Sequence, residues 1–294
     1  MDNLEKQETM KPEILITNPE KLQKKIERFQ EGGAEKMHVL SDFDRTLTKC
    51  LVGGKQSSTS WAQFRNLGYF GEDYIKKSQA MFDYYRPIEI SLTISEKEKM
   101  EKMKEWWDKH LNLLLEYGVS QQIIKNIVEK SGMRLRDGAL DFLRTLEKEK
   151  IPLVVMSSGL GDLITEILKK ENVLYDNIHI ISNFFEFGKD GIALRAKNER
   201  IIHSYNKKGV IVDSPTVAKE LSERKNVLLL GDTLGDVKMI EKFPCDEIIK
   251  VGFLNERIDE QKEEYAKNFD VIIINDSDMN YVSSLIDNVI KKQS

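Results

Sequence analysis

Cysteine is nearly absent: Cys50 and Cys245 are the only two among 294 residues, and neither lies in a CxxC or similar spacing. Two isolated thiols suit a reducing compartment and supply no zinc-type ligand set. A charge excess is missing too, with 45 basic against 49 acidic residues interleaved along the chain and a net charge of −4. A surface for a nucleic-acid polymer needs a basic stripe, so that partner class is not expected, whereas a single nucleotide needs only a local cluster of cations. No run approaches the roughly 18 apolar residues of a membrane span. The first residues, MDNLEKQETMKPE, are polar rather than leader-like. A cytoplasmic protein without a membrane association or an obligate protein partner is expected. Internal repeats and low-complexity segments are also lacking.

What the chain does have is enough apolar content, 40%, to bury a sizeable core. Its length allows one large α/β domain or a core carrying a smaller insert. Asn18-Pro19 followed by Leu22, Ile26 and Phe29 at helical spacing, and closed by Gly32-Gly33, predicts a helix. Strand-length apolar runs follow at 36–41, 151–156, 178–182, 226–230, 248–251 and 271–274. Most are continuous rather than alternating, as in parallel strands covered on both faces. Helical stretches at 161–171, 217–223 and 280–291 separate several of them, which predicts a doubly wound α/β sheet. Residues 49–134 have no clear strand run and are dominated by helical patterns at 94–117 and 120–129. They read as an inserted, mainly helical cap, so the expected division is a core of 1–48 and 135–294 with a cap of 49–134. The Gly- and Ser-rich start of the cap, 51–60, is expected to be a mobile loop.

Four segments carry chemistry, each after an apolar strand or late in the core. Asp42-Phe43-Asp44-Arg45-Thr46 places two acids two apart at a strand's carboxyl end, although a polar turn would give the same pair. Ser157-Ser158-Gly159 offers hydroxyls and backbone N–H groups before a helix, where phosphate binds, or else a plain capped turn. Lys207 lies in HSYNKKG and by itself is one lysine among many. Gly231-Asp232-Thr233-Leu234-Gly235-Asp236 sets two acids four apart at a turn, suited to a hard cation such as Mg²⁺ through oxygen ligands. Gly159-Leu160-Gly161 imitates a dinucleotide fingerprint, but Ile164 fills the third glycine position.

Content and order, DxDxT then Ser, Lys and GDxxGD, resemble the haloacid-dehalogenase superfamily of phosphohydrolases. DFDRTLT, SSGLGDLITEILK, IISNFFEF, IIHSYNKKG, LLLGDTLGD and IIKVGFLNER are similar to segments of the cytosolic 5′-nucleotidase III family. That family includes pyrimidine 5′-nucleotidase and a 7-methylguanosine-phosphate-specific relative. The likeness implies a Rossmann-like core with a helical cap, and an Mg²⁺-dependent hydrolase of nucleoside 5′-monophosphates. It implies Asp42 as the nucleophile that becomes an aspartyl-phosphate and Asp44 as acid and then base. Mg²⁺ would be held by the Asp42 carboxylate, the Asp44 carbonyl and Asp232, with Asp236 orienting a water. Ser157, Ser158 and Lys207 would hold phosphate oxygens, and Arg45 fills the variable place of the motif. In the cap, Glu89 matches the family's base-binding glutamate and Trp107 its base-pocket aromatic, while His110 replaces a small residue. Cys50 stands where some relatives carry an aromatic, for which Trp61, Phe64 or Tyr69 could substitute. The competing expectations are a phosphatase of the same mechanism for a non-nucleotide phosphomonoester, and a non-catalytic nucleotide-binding protein.

Overall fold

A computed structural model describes residues 13–91, 93–211 and 214–291. Strand β1 (Glu13–Ile16) leads into α1 (Pro19–Gly32). The Asn18 side chain accepts from the Lys21 N–H at the start of α1, and Pro19 takes the first turn. Gly33, at φ 64°, closes the helix by returning its N–H to the Phe29 carbonyl. β2 (Met37–Ser41) follows and is buried throughout.

Between β2 and the next sheet strand lie a two-strand hairpin, β3 (Leu51–Val52) and β4 (Lys55–Gln56), and then five helices. These are α2 (Ser60–Asn66), α3 (Gly71–Ile90), α4 (Glu96–Glu116), α5 (Gln121–Lys130) and α6 (Ala139–Lys148). The expectation of no strand within 49–134 is corrected here, in the segment expected to be a mobile loop. Gly53 and Gly54 both adopt positive φ, 59° and 74°, as a two-residue turn of the primed type requires. The two flanking dipeptides then pair across that turn, with Leu51 opposite Gln56. Asp276, from a distant loop, accepts the N–H groups of Cys50 and Leu51. No local periodicity foretells a hairpin this short.

The chain then alternates through β5 (Leu153–Leu160), α7 (Gly161–Lys170), β6 (Ile178–Asn183), β7 (Phe185–Phe187), β8 (Ala193–Ala196), α8 (Pro215–Leu221), β9 (Asn226–Gly231), β10 (Glu247–Leu254), α9 (Ile258–Asn268), β11 (Val271–Ile274) and α10 (Asn280–Ile290). Seven strands form one sheet in the order β1-β11-β10-β9-β2-β5-β6, and β7 pairs separately with β8. All six apolar runs read from the sequence are parallel members of this sheet. β1 escaped the sequence reading; it is antiparallel, half exposed and pairs only with β11 at the edge.

Alternation within the central strands feeds two cores, because successive side chains point to opposite faces. Met37 and Val39 join Val155, Leu228 and Leu230 on the face packed by α1, α6, α7 and α10. Leu40 joins Val154, Met156, Val227 and Leu229 on the face covered by α8 and α9. With both faces apolar, polar side chains are left the strand ends. From β2, the sheet continues in one direction through β5 and in the other through β9. The carboxyl ends of β2 and β9 therefore flank a switch point, the crevice where open α/β sheets bind ligands.

Candidate active site

Asp42 directly follows β2, and its N–H bonds the Leu230 carbonyl on β9, fixing it over the crevice. Phe43 turns into the core and is fully buried. Lys207, from the segment between β8 and α8, is 5% exposed. Its Nζ donates to Asp42 Oδ1 at 2.5 Å and to Asp236 Oδ1 at 2.7 Å. The other Asp236 oxygen accepts the N–H groups of Asp232 and Thr233 and the Thr233 hydroxyl, at 3.2, 2.9 and 2.8 Å. Both oxygens of Asp236 are thus engaged in holding the Lys207 ammonium and the turn after β9. Gly231 is needed at that turn because a Cβ there would lie 2.4 Å from the Asp236 Cβ.

Asp42, Asp232 and Asp236 each offer a carboxylate oxygen, all within 4.8 Å of one another. Burial pushes the Asp42 carboxyl up to about 7, against the pull of Lys207, and the Asp236 charge adds to the rise. Asp232 is also raised well above the usual carboxylate range, first by burial and then by the charges of Asp42 and Asp236. Burial opposes the charge on Lys207, yet the two carboxylates prevail and hold its pKa above the ordinary lysine value. One ammonium among three close carboxylates leaves negative charge uncompensated at the mouth of the crevice. An all-oxygen donor set with excess negative charge fits a hard cation, so the triad can bind a metal.

Asp44 lies at the same mouth but outside this triad. Its carboxylate accepts the Ser60 N–H at 3.2 Å and the Ser60 hydroxyl at 2.9 Å. Burial raises its pKa, and the Ser60 hydrogen bonds oppose the rise. Ser60, first residue of α2, was not singled out from the sequence. It sits so near Gly159 that a Cβ there would meet its Oγ at 2.3 Å.

The Ser157-Ser158-Gly159 segment lies inside β5, where the register with β6 shifts between Met156 and Leu160. This bulge re-aims the strand end. Ser157 is buried, and its Oγ accepts the Gly159 N–H at 3.0 Å. Ser158 lines the pocket, and its carbonyl accepts three donors: Trp107 Nε1 at 2.7 Å, Trp61 Nε1 at 2.9 Å and Asn183 Nδ2 at 3.1 Å. Asn183 also bonds both the N–H and the carbonyl of Ile202, each at 2.8 Å. It thereby ties the segment carrying Lys207 to the end of β5. Sequence reading missed this residue, because an asparagine ending a strand gives no sign that its partners lie in two other segments.

The crevice opens into a pocket of about 370 Å³ between the sheet and the helices α2–α4. Asp42, Asp44, Lys207, Asp232 and Asp236 line its inner end. Glu89, Trp107 and His110 line the remainder, so the three cap residues named from sequence reach the same cavity as the acids. Trp61 and Trp106 line it as well, while Phe64 is fully buried and Tyr69 is not among the lining residues. Of the three aromatics named as substitutes, Trp61 alone lines the pocket. Its ring lies 4.9 Å from that of His110 and 6.4 Å from that of Trp107. Burial pushes His110 down to about 4, and the nearby Arg65 charge adds to this, so its ring is neutral at pH 7. Glu89 accepts from the Ser204 hydroxyl at 2.9 Å and pairs with Arg86. Arg45 also lines the pocket, paired with Glu256 at 3.2 Å.

A mostly parallel sheet with an inserted helical region, α2–α6, and this constellation at the switch point define a haloacid-dehalogenase-like fold. A substrate-bound phosphoserine phosphatase, 16% identical, superposes over 85% of this chain and 97% of its own with a TM-score of 0.51, a likeness of fold alone. A crystal structure of cytosolic 5′-nucleotidase IIIB bound to cytidine is far more similar: TM-score 0.84, 27% identity, 95% of this chain and 94% of that one. Residues 45–290 match the family model described as pyrimidine 5′-nucleotidase (UMPH-1). The 7-methylguanosine phosphate-specific 5′-nucleotidase A of Xenopus laevis is 35% identical over 96% of this chain and 97% of its own length. The human 7-methylguanosine phosphate-specific 5′-nucleotidase is 34% identical over 96% and 94%. The chain belongs to the cytosolic 5′-nucleotidase III (UMPH-1) family. It is a 5′-nucleotidase, a phosphoric monoester hydrolase acting on nucleoside monophosphates.

Proposed function

We propose that the chain hydrolyses nucleoside 5′-monophosphates of pyrimidine or 7-methylguanosine type, with Mg²⁺, through an aspartyl-phosphate on Asp42. The observation that carries this is the single ammonium of Lys207 bridging Asp42 and Asp236 at the floor of an aromatic pocket. Mg²⁺ would be held by the carboxylates of Asp42 and Asp232 and the backbone carbonyl of Asp44. Asp236, with both oxygens already taken, keeps Lys207 and the Asp232 turn in place. When bound, the cation supplies positive charge against the phosphate oxygens.

Lys207 holds one Asp42 oxygen, leaving Oδ2 to attack phosphorus. As the Asp42–phosphorus bond forms, the bond to the ribose O5′ breaks, and the Asp44 proton passes to that oxygen. Burial, which raises the pKa of Asp44, supports its starting as the acid. Water then attacks the phosphorus and gives its proton to the Asp44 carboxylate. The bond to Asp42 breaks, releasing phosphate and restoring the nucleophile. Lys207 and Ser158, with Ser157 behind it, bind phosphate oxygens. Glu89, Trp107, Trp61 and His110 take the base, and the segment 49–134 acts as a cap distinct from a core of 1–48 and 135–294. Relatives named cytosolic 5′-nucleotidases support a cytosolic site of action.

Asp42→Asn is expected to abolish Mg²⁺-dependent phosphate release and Asp44→Asn to reduce it by about 10²–10⁴-fold. Wild-type release from CMP, UMP or 7-methyl-GMP, with none from phosphoserine, is the accompanying result. Turnover by a contaminant-free Asp42→Asn protein would rule out the covalent route.

A further inference from the structure

Arg65, in the last turn of α2, lines the same pocket as Glu89, Trp61 and His110. Its guanidinium carbon stands 5.1 Å from the centroid of the Phe82 ring, which also lines the pocket. The one hydrogen bond of its guanidinium among the described residues is a long one, 3.5 Å, from Nε to the neighbouring Asn66 side chain. No carboxylate among the described residues pairs with it. The other arginine in this part of the cavity, Arg86, is different, because it forms an ion pair with Glu89. Glu89 is therefore already neutralised by a partner on its own helix and further satisfied by the Ser204 hydroxyl. His110 is neutral at pH 7. Summed over these groups, Arg86 and Glu89 cancel, His110 contributes nothing, and Arg65 leaves one positive charge in this part of the pocket.

We infer that Arg65 is a specificity-determining residue that disfavours a cationic base, such as 7-methylguanine, relative to a neutral base carrying a carbonyl acceptor. The inference rests on the nucleotidase reading of this pocket and adds the sign of its discrimination. A guanidinium has five N–H donors and no acceptor, so it can serve the carbonyl of cytosine, uracil or guanine. Against a ring that is itself positive it contributes repulsion. Stacking on the tryptophans works the other way, since a cationic ring gains from an indole face. The preference of the pocket is then set by the balance between the indoles and Arg65. Charges several ångströms apart in a partly buried site interact strongly enough to change relative rates by about tenfold or more.

The test is kcat/KM for CMP, GMP and 7-methyl-GMP with the wild type and with Arg65→Lys, Arg65→Gln and Arg65→Glu. The quantity read is the ratio of 7-methyl-GMP to GMP, two substrates differing by one methyl group and one charge. Arg65→Lys, which keeps the charge, is expected to leave that ratio within about twofold. Arg65→Gln should raise it about tenfold and Arg65→Glu further still. A ratio unchanged in Arg65→Glu, in a protein that still turns over GMP or CMP, overturns the inference. So does an equal rise in Arg65→Lys and Arg65→Gln, which would mean shape rather than charge. Failure of the wild type on every nucleotide would instead defeat the nucleotidase reading, and the two failures are distinguishable in one assay.

Discussion

Ser60 shows how a single hydroxyl can set the charge state of Asp44, the carboxyl proposed as acid and then base. Its Oγ donates to Asp44 at 2.9 Å and its N–H adds a longer bond, both favouring the ionised form that burial disfavours. A hydrogen bond to a charged acceptor is worth about 1.5–3 kcal/mol, roughly one pKa unit or more. Ser60→Ala is therefore expected to raise the Asp44 pKa further. In the proposed route the step in which water attacks needs Asp44 ionised, so the acidic limb of the kcat profile should move up by about one pH unit. A kcat–pH series on both proteins measures it, and an unmoved limb would mean that Asp44 is not the base. Gly159→Ala should act in the same direction, since its Cβ would press on the Ser60 hydroxyl.

Between elements, the loop after β2 is held by one buried cation. Arg136, whose side chain is fully buried, donates to the carbonyls of Arg45, Thr46 and Ser277 and pairs with Asp276 at 3.0 Å. Its guanidinium carbon also lies 4.3 Å from the Phe253 ring centroid. The Arg45 carbonyl belongs to a residue at φ 64°, a conformation that an arginine adopts only when its surroundings impose it. Asp276 in turn holds the β3–β4 hairpin through two N–H groups. Arg136→Met would leave the buried Asp276 carboxylate without its cation and the Thr46 and Ser277 carbonyls without this donor. A loss of about 3–5 kcal/mol of stability is expected, as for breaking other buried pairs, read as a lower urea midpoint with an unchanged slope.

Over the whole molecule, the acidic triad is expected to make stability depend on both cation and pH. Asp42 and Asp232 have folded pKa values raised above the unfolded range. Their contribution is therefore favourable at low pH and is lost as pH rises, for Asp42 through about 7. A divalent cation binds the ionised carboxylates and opposes this loss. Mg²⁺ should raise the thermal midpoint strongly at pH 8 and little at pH 6, where protons hold the site. At a hundredfold excess over its Kd the gain is about 2.7 kcal/mol. Scanning calorimetry with Mg²⁺ or a chelator at the two pH values checks it, and an equal effect at both would place the cation elsewhere.

The amino-acid sequence by itself determined the six parallel strands, because each is a continuous apolar run that only a two-sided burial can satisfy. It also determined the acids at 42, 44, 232 and 236, since polar side chains next to such runs are confined to the strand ends. What only the tertiary structure decided is which distant groups complete those ends. Ser60 reaches Asp44 across 16 residues and Lys207 reaches Asp42 across 165. Asn183 joins β5 to the Lys207 segment, and Trp61 and Arg65 enter the pocket through the placement of α2. Periodicity and turn chemistry are local, whereas these pairings depend on how helices pack over the sheet, which no single stretch of sequence encodes.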